Sequence, residues 1–478
     1  MKKARLQHRS YFRRSVAIAL VIFGIYLAAL AIWRAIDTWS NQAKQPPVVQ
    51  LIDQMLVQKT DTRVLVLLLN SSEARIGGGF SGSVTTLTKD RGKFSVEPVQ
   101  SVYYFDDMGV ARFNADAAAG RKPPVEQPFL RDSNQNIEWS TNAKIMADRY
   151  EYATGKRIDS VIALTPDVLK SLLSYTGPIT LSQYGKTLSA ANFLEQVELE
   201  VESGIDKQQN SEPKSILGEA ATAVISKLWS KNLIQLTSLY PTIQKLASQK
   251  SIVLWSRDQN LQQQVLQSQV GGEVKPADYD YLFIAEQNSV ANKSTPYIQQ
   301  KVVKKIKIGE DGKAVVDVTI TRQHTSDYAG NFYNPWGKFN MFLIGENKSV
   351  IKMVLPQQVK LFGLSNNLRI QSDSEADLQF YQFVSDLLPL TRETYTFSYQ
   401  LPFKYQMGDN LDVVSQVQKQ IGRAAYDFEL QIIAPPPYRL AAASVNKLSY
   451  KSDGNNLVVD YATAIDTDKI ISLKYAKN

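Results

Sequence analysis

Residues 64–69 read Val-Leu-Val-Leu-Leu-Leu, an unbroken apolar run of strand length. Such a run suits a strand covered on both faces, because a half-exposed strand alternates apolar with polar residues. Residues 84–88 and 94–96 follow as further strands around the turn Lys89-Asp90-Arg91-Gly92. A sheet therefore opens near residue 60.

Beyond this sheet the pattern alternates between helix and strand. A helical stretch from Ser140 ends at Gly155, a residue type that commonly takes the left-handed position after a last turn. A strand at 160–164 precedes Thr165-Pro166-Asp167, which combines a capping hydroxyl, a proline at the first helical position and an acidic first turn. This order predicts an α/β domain over residues 60–185.

The following segment, residues 186–290, is predicted to be mainly helical. Apolar residues repeat there every four positions, at Leu217, Ala221, Ile225, Trp229 and Leu233, with Val224 and Leu228 beside them. This stripe favours packing in a core over binding of a partner protein.

Past Asn292 the period becomes two. Strand-like runs at 301–308 and 314–320 flank Gly309-Glu310-Asp311-Gly312, a hairpin signature. We predict a β-sandwich over 295–433, followed beyond three prolines by a last β piece, 438–478, as an extra sheet or a small module. The fold class is thus α+β or α/β, with a β-sandwich at the carboxyl end.

The amino-terminal region predicts a membrane anchor. Residues 15–33 carry no charge, and the tail 1–14 before them holds six basic residues and no acid. About nineteen residues can cross a hydrocarbon core and basic flanks stay cytoplasmic, so 34–59 becomes a stalk and the bulk of the chain extracytoplasmic. A cleaved signal peptide is the rival interpretation, because Ala29-Leu30-Ala31 suits a signal peptidase. We favour a retained single-pass anchor in the cell membrane.

Composition narrows the chemistry. The formal net charge is +8, and much of it lies in the cytoplasmic tail, so it indicates topology and not nucleic-acid binding. Cysteine is absent and only His8 and His324 are present. These counts exclude cysteine nucleophiles and histidine-based zinc sites, and a Ser-His-Asp triad would need His324. Any metal would be a hard cation on carboxylates.

The loop after the first strand carries the most pointed chemistry. Residues 70–83 contain Gly77-Gly78-Gly79, whose backbone amides can approach an anion closely. Phosphate or carboxylate contacts are therefore predicted at Arg75, Gly78, Gly79, Ser81 and Ser83. A strand-to-strand loop that needs positive φ angles explains the same residues equally well.

Four motifs in order carry a family resemblance: Glu73-x-Arg75-x-x-Gly78-Gly79-Phe80-x-Gly82-Ser83, then Phe129 to Asn134, then Thr154-Gly155-Lys156-x-x-Asp159-x-Val161-Ile162-Ala163, then Thr176-Gly177-Pro178. Over residues 60–190 the chain resembles the bacterial domain of unknown function 4012. The resemblance implies a cell-envelope setting and no particular reaction. The chain departs from the family where Gln135 follows Asn134.

A weaker likeness, in the order of elements, runs to the LytR-CpsA-Psr glycopolymer transferases. It implies that Arg75 and Arg131 face a pyrophosphate and that Asp106 or Asp107 holds Mg²⁺, although the family's Arg-x-Asp-Thr signature is absent. Paired aspartates after a strand are also typical of a solvated turn or a helix cap, and Arg131-Asp132 of a structural ion pair.

Two function classes result. In the first, the chain binds or organises a surface glycopolymer, with Arg131 and Asn134 added to the loop residues as ligand contacts, and its 23 tyrosines suit such surfaces. In the second, it is a phosphotransferase acting on a polyprenyl-pyrophosphate-linked glycan with Mg²⁺ as cofactor, a chemistry that needs positioned charge more than a strong nucleophile. The expected partners are the membrane and an envelope polysaccharide or lipid-linked glycan.

Overall fold

A computed structural model describes residues 46–57, 61–91, 93–203, 215–229, 231, 238–326, 345–365, 368–375 and 377–477. The predicted tail 1–14, the predicted membrane helix 15–33 and much of the predicted stalk 34–59 lie outside these residues. Among the helices described, none has the length and apolar character needed to cross a membrane.

The chain divides into two compact units. Within the described residues, unit 1 comprises 46–71 and 77–273, and unit 2 comprises 72–76, 274–326 and 345–477. The mixture of helices and sheets confirms the coarse α+β prediction. The described residues form eight α-helices, all in unit 1: Pro47–Val57, Val102–Ala118, Trp139–Thr154, Pro166–Thr176, Phe193–Ser203, Ser215–Trp229, Tyr240–Ser248 and Gln259–Gln267.

Unit 1 is built on a six-stranded mixed sheet. Its strands are β1 (Thr62–Asn70), β2 (Phe80–Asp90), β3 (Lys93–Val96), β4 (Gln100–Ser101), β5 (Ser160–Leu164) and β8 (Ile252–Ser256). The order is β3-β2-β1-β5-β8, with β4 beside β2, and β1 is parallel to β5. The central position of β1 explains its continuous apolar run, since neighbouring strands flank it and both faces are covered. A separate hairpin joins β6 (Ile179–Leu181) to β7 (Lys186–Leu188).

Several helices of unit 1 begin or end at the proline and glycine residues that the sequence indicated. The helix Trp139–Thr154 ends at Gly155 with φ 73°, and the helix Pro166–Thr176 begins on its proline and ends at Gly177 with φ 80°. The stripe of 215–229 packs in the core through Ala221, Val224 and Leu228.

Two segments of unit 1 differ from the sequence prediction. Residues 47–57, predicted as part of a stalk, form a helix whose Val48, Leu51 and Leu56 are buried in the core of the unit. Residues 252–256, predicted within a helical segment, form the edge strand β8, and all five are buried. A short apolar run has no periodicity that separates a buried strand from a buried helix, so only the pairing with β5 decides.

Unit 2 is a β-sandwich of two seven-stranded sheets. The strands are β9 (Asp280–Asn288), β10 (Ile298–Ile308), β11 (Lys313–His324), β12 (Asn347–Val354), β13 (Leu361–Phe362), β14 (Gln371–Glu375), β15 (Leu378–Leu387), β16 (Arg392–Lys404), β17 (Asn410–Gln418), β18 (Asp427–Ala434), β19 (Tyr438–Ala443), β20 (Ser449–Asp453), β21 (Asn456–Ala464) and β22 (Lys469–Lys477). The first sheet has the order β13-β16-β11-β10-β18-β21-β20 and the second β14-β15-β12-β9-β17-β22-β19. Apolar side chains from both sheets form one core, including Ile306 and Phe397 of the first and Ile351 and Leu473 of the second.

The sandwich is larger than the predicted range 295–433. It includes β9, which precedes that range, and the last four strands, which the sequence suggested as an extra sheet or module. Two of these four strands pair into each sheet, with β20 and β21 in the first and β19 and β22 in the second. The last residues therefore complete the sandwich.

Candidate functional site

The glycine loop of unit 1 is filled by the chain's own groups. Gly78 and Gly79 have φ angles of 111° and 122°, which favour glycine. The Asn134 side chain donates from Nδ2 to the Gly79 carbonyl at 2.8 Å, and a Cβ at Gly77 would overlap its Oδ1. Asn134, Ser81 and Ser83 are buried, as are the glycines. The loop thus has a structural reason for its glycines.

Arg75 lies in unit 2, within the segment 72–76. Its Nη2 is 2.6 Å from Glu73 Oε1, and its Nη1 donates to the Asn288 carbonyl at 2.9 Å. Backbone hydrogen bonds hold the segment in place: Asn288 N donates to the Ala74 carbonyl at 3.0 Å, and Gln420 Nε2 donates to the Arg75 carbonyl at 3.1 Å. Arg75 and Glu73 are both buried, so Arg75 is a member of an internal ion pair.

Asp106 and Arg131 form the second ion pair, in unit 1. Arg131 Nη1 is 2.8 Å from Asp106 Oδ2, while Asp106 Oδ1 accepts from the backbone amides of Leu130 at 2.5 Å and Arg131 at 3.4 Å. Burial raises the pKa of Asp106, and these hydrogen bonds and the Arg131 charge offset part of the rise. Asp106 therefore fixes the turn that carries Arg131.

The predicted metal pair is split between two environments. Asp106 is buried against its own partners, whereas Asp107, the next residue on the helix Val102–Ala118, is exposed. Among the described residues, no three His, Asp or Glu side chains come together in a way that could hold a metal ion.

The turn Leu130–Asp132 is held from a second side by Arg149. Arg149 Nη1 donates to the Phe129 carbonyl at 2.7 Å and lies 3.0 Å from Ser133 Oγ. Burial lowers the pKa of Arg149, and the carboxylates of Asp132, Glu126 and Asp106 oppose that shift. The segment from Phe129 to Asn134 is thus fixed by three buried side chains: the carboxylate of Asp106, the guanidinium of Arg149 and the amide of Asn134.

An aromatic surface surrounds this corner, and the sequence interpretation missed it. The Arg131 guanidinium lies 4.4 Å from the ring centre of Phe129 and 5.6 Å from that of Tyr103, and the rings of Tyr103 and Phe80 are 6.3 Å apart. Tyr103 and Tyr104 are 50% and 54% exposed. We call Phe80, Tyr103, Tyr104, Phe129 and Arg131 the aromatic surface. The run Val102-Tyr103-Tyr104-Phe105, with four bulky residues on all sides of a helix start, was the available signal.

His324 has a structural environment in unit 2. Its Nε2 is 2.8 Å from the Gly345 carbonyl and its Nδ1 is 3.2 Å from Ser326 Oγ. The carbonyl fixes the proton on Nε2, and burial lowers the pKa of the ring, so the imidazole is neutral. In a catalytic triad a carboxylate would occupy the place of this carbonyl.

Residues 59–201 match the family model described as protein of unknown function (DUF4012). This region is a DUF4012 domain. The match confirms the family resemblance that the four motifs predicted, and it includes both the glycine loop and the aromatic surface of the DUF4012 domain. The likeness to the LytR-CpsA-Psr transferases stays a prediction. Among proteins with curated descriptions, none matches this chain.

Solved structures show only slight similarity to the chain. A putative nutrient binding protein from Legionella pneumophila is 10% identical, with a TM-score of 0.28 over 41% of this chain and 70% of that one. An M1 zinc metallopeptidase from Deinococcus radiodurans is 10% identical, with a TM-score of 0.23 over 38% and 43%. The Lin1025 protein from Listeria innocua is 12% identical, with a TM-score of 0.20 over 48% and 86%. At these values the similarities support neither a fold nor a function for the DUF4012 domain.

Proposed function

We propose that this chain is a membrane-anchored, extracytoplasmic protein of the bacterial cell envelope that binds a surface glycopolymer through the aromatic surface of its DUF4012 domain. The observation that carries the proposal is the exposure of Tyr103 beside Arg131, an arginine that the buried Asp106 holds in place. The basic tail and the uncharged run 15–33 support the anchor and the orientation.

The chemistry of the aromatic surface suits sugar rings. An aromatic face offers a flat apolar area against which the C–H face of a sugar can pack, and planar charged groups at its edge can hydrogen-bond hydroxyls. Arg131 lies at this edge with 30% of its side chain exposed, and Asp132 with 34%. Exposed apolar patches on a folded unit commonly mark binding sites.

The local charge favours neutral sugars over a polyphosphate. The positive charge of Arg131 is met by Asp106 at 2.8 Å and by Asp132 at 3.6 Å, and Asp107 adds an exposed carboxylate nearby on the helix. An acidic polymer would meet more carboxylates than free cations on this surface.

The alternative, phosphotransfer from a polyprenyl-pyrophosphate carrier, has less support. It needs Arg75 and Arg131 as charges open to the pyrophosphate and Asp106 or Asp107 as Mg²⁺ ligands. Arg75 instead pairs with Glu73, Arg131 with Asp106, and each pair belongs to a different unit. Those separate pairings favour binding over transfer.

Co-sedimentation tests the proposal. The full-length chain, kept in detergent, is mixed with purified cell-wall sacculi of the source bacterium, and the bound fraction is measured against sacculus concentration. Tyr103→Ala should weaken binding by about fivefold, which corresponds to ~1 kcal/mol for one aromatic contact.

The control is Tyr450→Ala, which removes a 70% exposed tyrosine from β20 of unit 2 and should bind as the wild type does. Chelation of divalent metal should leave binding unchanged. Equal binding by Tyr103→Ala and the wild type contradicts the sugar surface, and loss of binding on chelation supports the transferase.

A further inference from the structure

One ion pair crosses the interior of the β-sandwich. Lys304 lies on β10 of the first sheet, between the inward-facing Val302 and Ile306, and Asp280 begins β9 of the second sheet. The Lys304 Nζ is 2.5 Å from Asp280 Oδ2, and both side chains are 0% exposed. An amine and a carboxyl group from opposite sheets are therefore in contact in a core that excludes water.

Two hydroxyl groups complete the surroundings of the carboxyl. Ser415 of β17 donates from Oγ to Asp280 Oδ2 at 2.5 Å and lies 3.5 Å from Lys304 Nζ. Tyr399 of β16 donates to Asp280 Oδ1 at 3.4 Å. Each carboxyl oxygen thus has its own hydroxyl donor, and Ser415 lies within reach of both reacting groups.

The environment favours the neutral amine of Lys304. Burial lowers the pKa of Lys304, and the Asp280 charge opposes the shift without cancelling it. An ammonium group loses its hydration in such a core, whereas a neutral amine does not carry that cost. A neutral amine is also the nucleophilic form of lysine.

We propose that Lys304 and Asp280 condense to an amide that covalently joins the two sheets of unit 2. A proton first passes from the ammonium to Oδ2. The Nζ lone pair then attacks Asp280 Cγ, forming the C–N bond and placing negative charge on Oδ1. When the Cγ–Oδ2 bond breaks, Oδ2 takes a second nitrogen proton and leaves as water, so one N–H remains on the amide.

The two hydroxyl groups have distinct parts in this step. Ser415 Oγ can accept a proton from Nζ while giving its own to Oδ2, because it is within hydrogen-bond distance of both atoms. Tyr399 stabilises the developing charge on Oδ1 in the manner of an oxyanion hole, and burial raises the pKa of its hydroxyl well above the ordinary value, so it stays a donor. The reaction uses no oxidant or co-reactant.

Mass spectrometry of the purified full-length chain tests the proposal. The wild type should be lighter than its sequence by one water molecule, and tryptic digestion should give a branched peptide that joins the segment containing Asp280 to the segment containing Lys304. A wild-type mass equal to the sequence, with cleavage after Lys304, overturns the proposal.

Lys304→Arg is the matched variant, because it keeps the positive charge but lacks a nucleophilic amine. It should show the full sequence mass and no branched peptide. If the water loss persists in Lys304→Arg, it arises from another reaction and the proposal fails. Ser415→Ala should slow the loss of water after synthesis. If the amide forms at the wild-type rate in this variant, Ser415 has no part in the mechanism and the proposed proton path is wrong.

Discussion

One ion pair of unit 1 and two ion pairs of unit 2 lie in opposite environments. In unit 1 the Arg131–Asp106 pair lies under a surface, with 30% of the arginine side chain exposed beside the half-exposed Tyr103. In unit 2 the Arg322–Glu286 and Lys304–Asp280 pairs are enclosed, with at most 2% of any side chain exposed. Charge that reaches solvent can meet a ligand, and charge that is enclosed can act only within the chain. The difference is consistent with the proposed binding surface in unit 1, and it gives the enclosed pairs of unit 2 a role inside the sandwich.

The largest expected effect is the loss of Glu286. Its Oε1 is 2.8 Å from Arg322 Nη2 and its Oε2 is 3.2 Å from Arg423 Nε. Glu286→Ala leaves two buried cations without their acid, so the free energy of unfolding of unit 2 should fall by about 3–5 kcal/mol. Hydrogen exchange of the backbone amides in β9 and β11 measures this loss of stability.

The control for this variant is Glu393→Ala, an exposed acid on β16 that is paired in register with Arg322 of β11. It should leave the exchange of β9 and β11 unchanged. Equal protection in Glu286→Ala and the wild type would contradict the enclosed network and the comparison drawn from it.

The second prediction concerns acid. Burial alone would raise the pKa of Glu286, but Arg322 and Arg423 outweigh burial and hold the pKa below the usual 4.5. The contribution of this group to stability is therefore complete above pH 4.5 and is lost as the pH falls through its lower, folded-state pKa. Exchange measured between pH 6 and pH 3 should show unit 2 weakening below about pH 4.5.

The contribution of Asp106 to stability should depend on pH with the opposite sign. Its pKa is raised, so the neutral acid is favoured at low pH and stability decreases as the pH rises through the folded-state value.

The variant Glu286→Gln tests the acid prediction for unit 2. It should lose the part of the acid sensitivity of unit 2 that the Glu286 carboxylate causes. If Glu286→Gln retains the full acid sensitivity, other groups cause it.

A smaller effect is expected at Asp106 itself. Asp106→Ala removes the acceptor of the Leu130 amide and the partner of Arg131, and unsatisfied buried donors cost about 1–3 kcal/mol. Exchange of the helix Val102–Ala118 should increase accordingly. The neighbouring Asp107→Ala is the control and should have no effect, since Asp107 is exposed. A larger effect at Asp107 would favour the metal-site hypothesis.

The smallest effect on stability is expected at the aromatic surface. Tyr103 is half-exposed, so Tyr103→Ala should change the free energy of unfolding by less than about 0.5 kcal/mol while weakening sacculus binding. A thermal unfolding scan beside the binding assay separates the two. A stability loss as large as that of Asp106→Ala would make Tyr103 a packing residue and remove the contrast between the units.

Local features of the chain were predictable because their causes lie within a few residues. The apolar run 64–69 became the central strand β1, Gly155 and Gly177 end helices, and Gly309 to Gly312 turn the hairpin of β10 and β11. Backbone sterics and burial of both strand faces act at short range, so a sequence window contains them.

Features that depend on distant partners were not predictable from the same windows. Arg131 pairs with an aspartate 25 residues earlier, and Arg75 is fixed by Asn288, 213 residues later. The local sequence therefore suggested Arg75 as a ligand for an anion. In the folded protein Arg75 is instead buried in an ion pair with Glu73.

By itself, the sequence determined the α+β class, the DUF4012 resemblance, the absence of cysteine chemistry and the positions of several strands and helix ends. Tertiary structure alone decided that residues 72–76 belong to unit 2, that the last four strands complete the sandwich, and that Tyr103 meets Arg131 on a surface. The physical reason is that propensity and periodicity are properties of a segment, whereas enclosure of a charge or exposure of a ring depends on which distant segments pack around it.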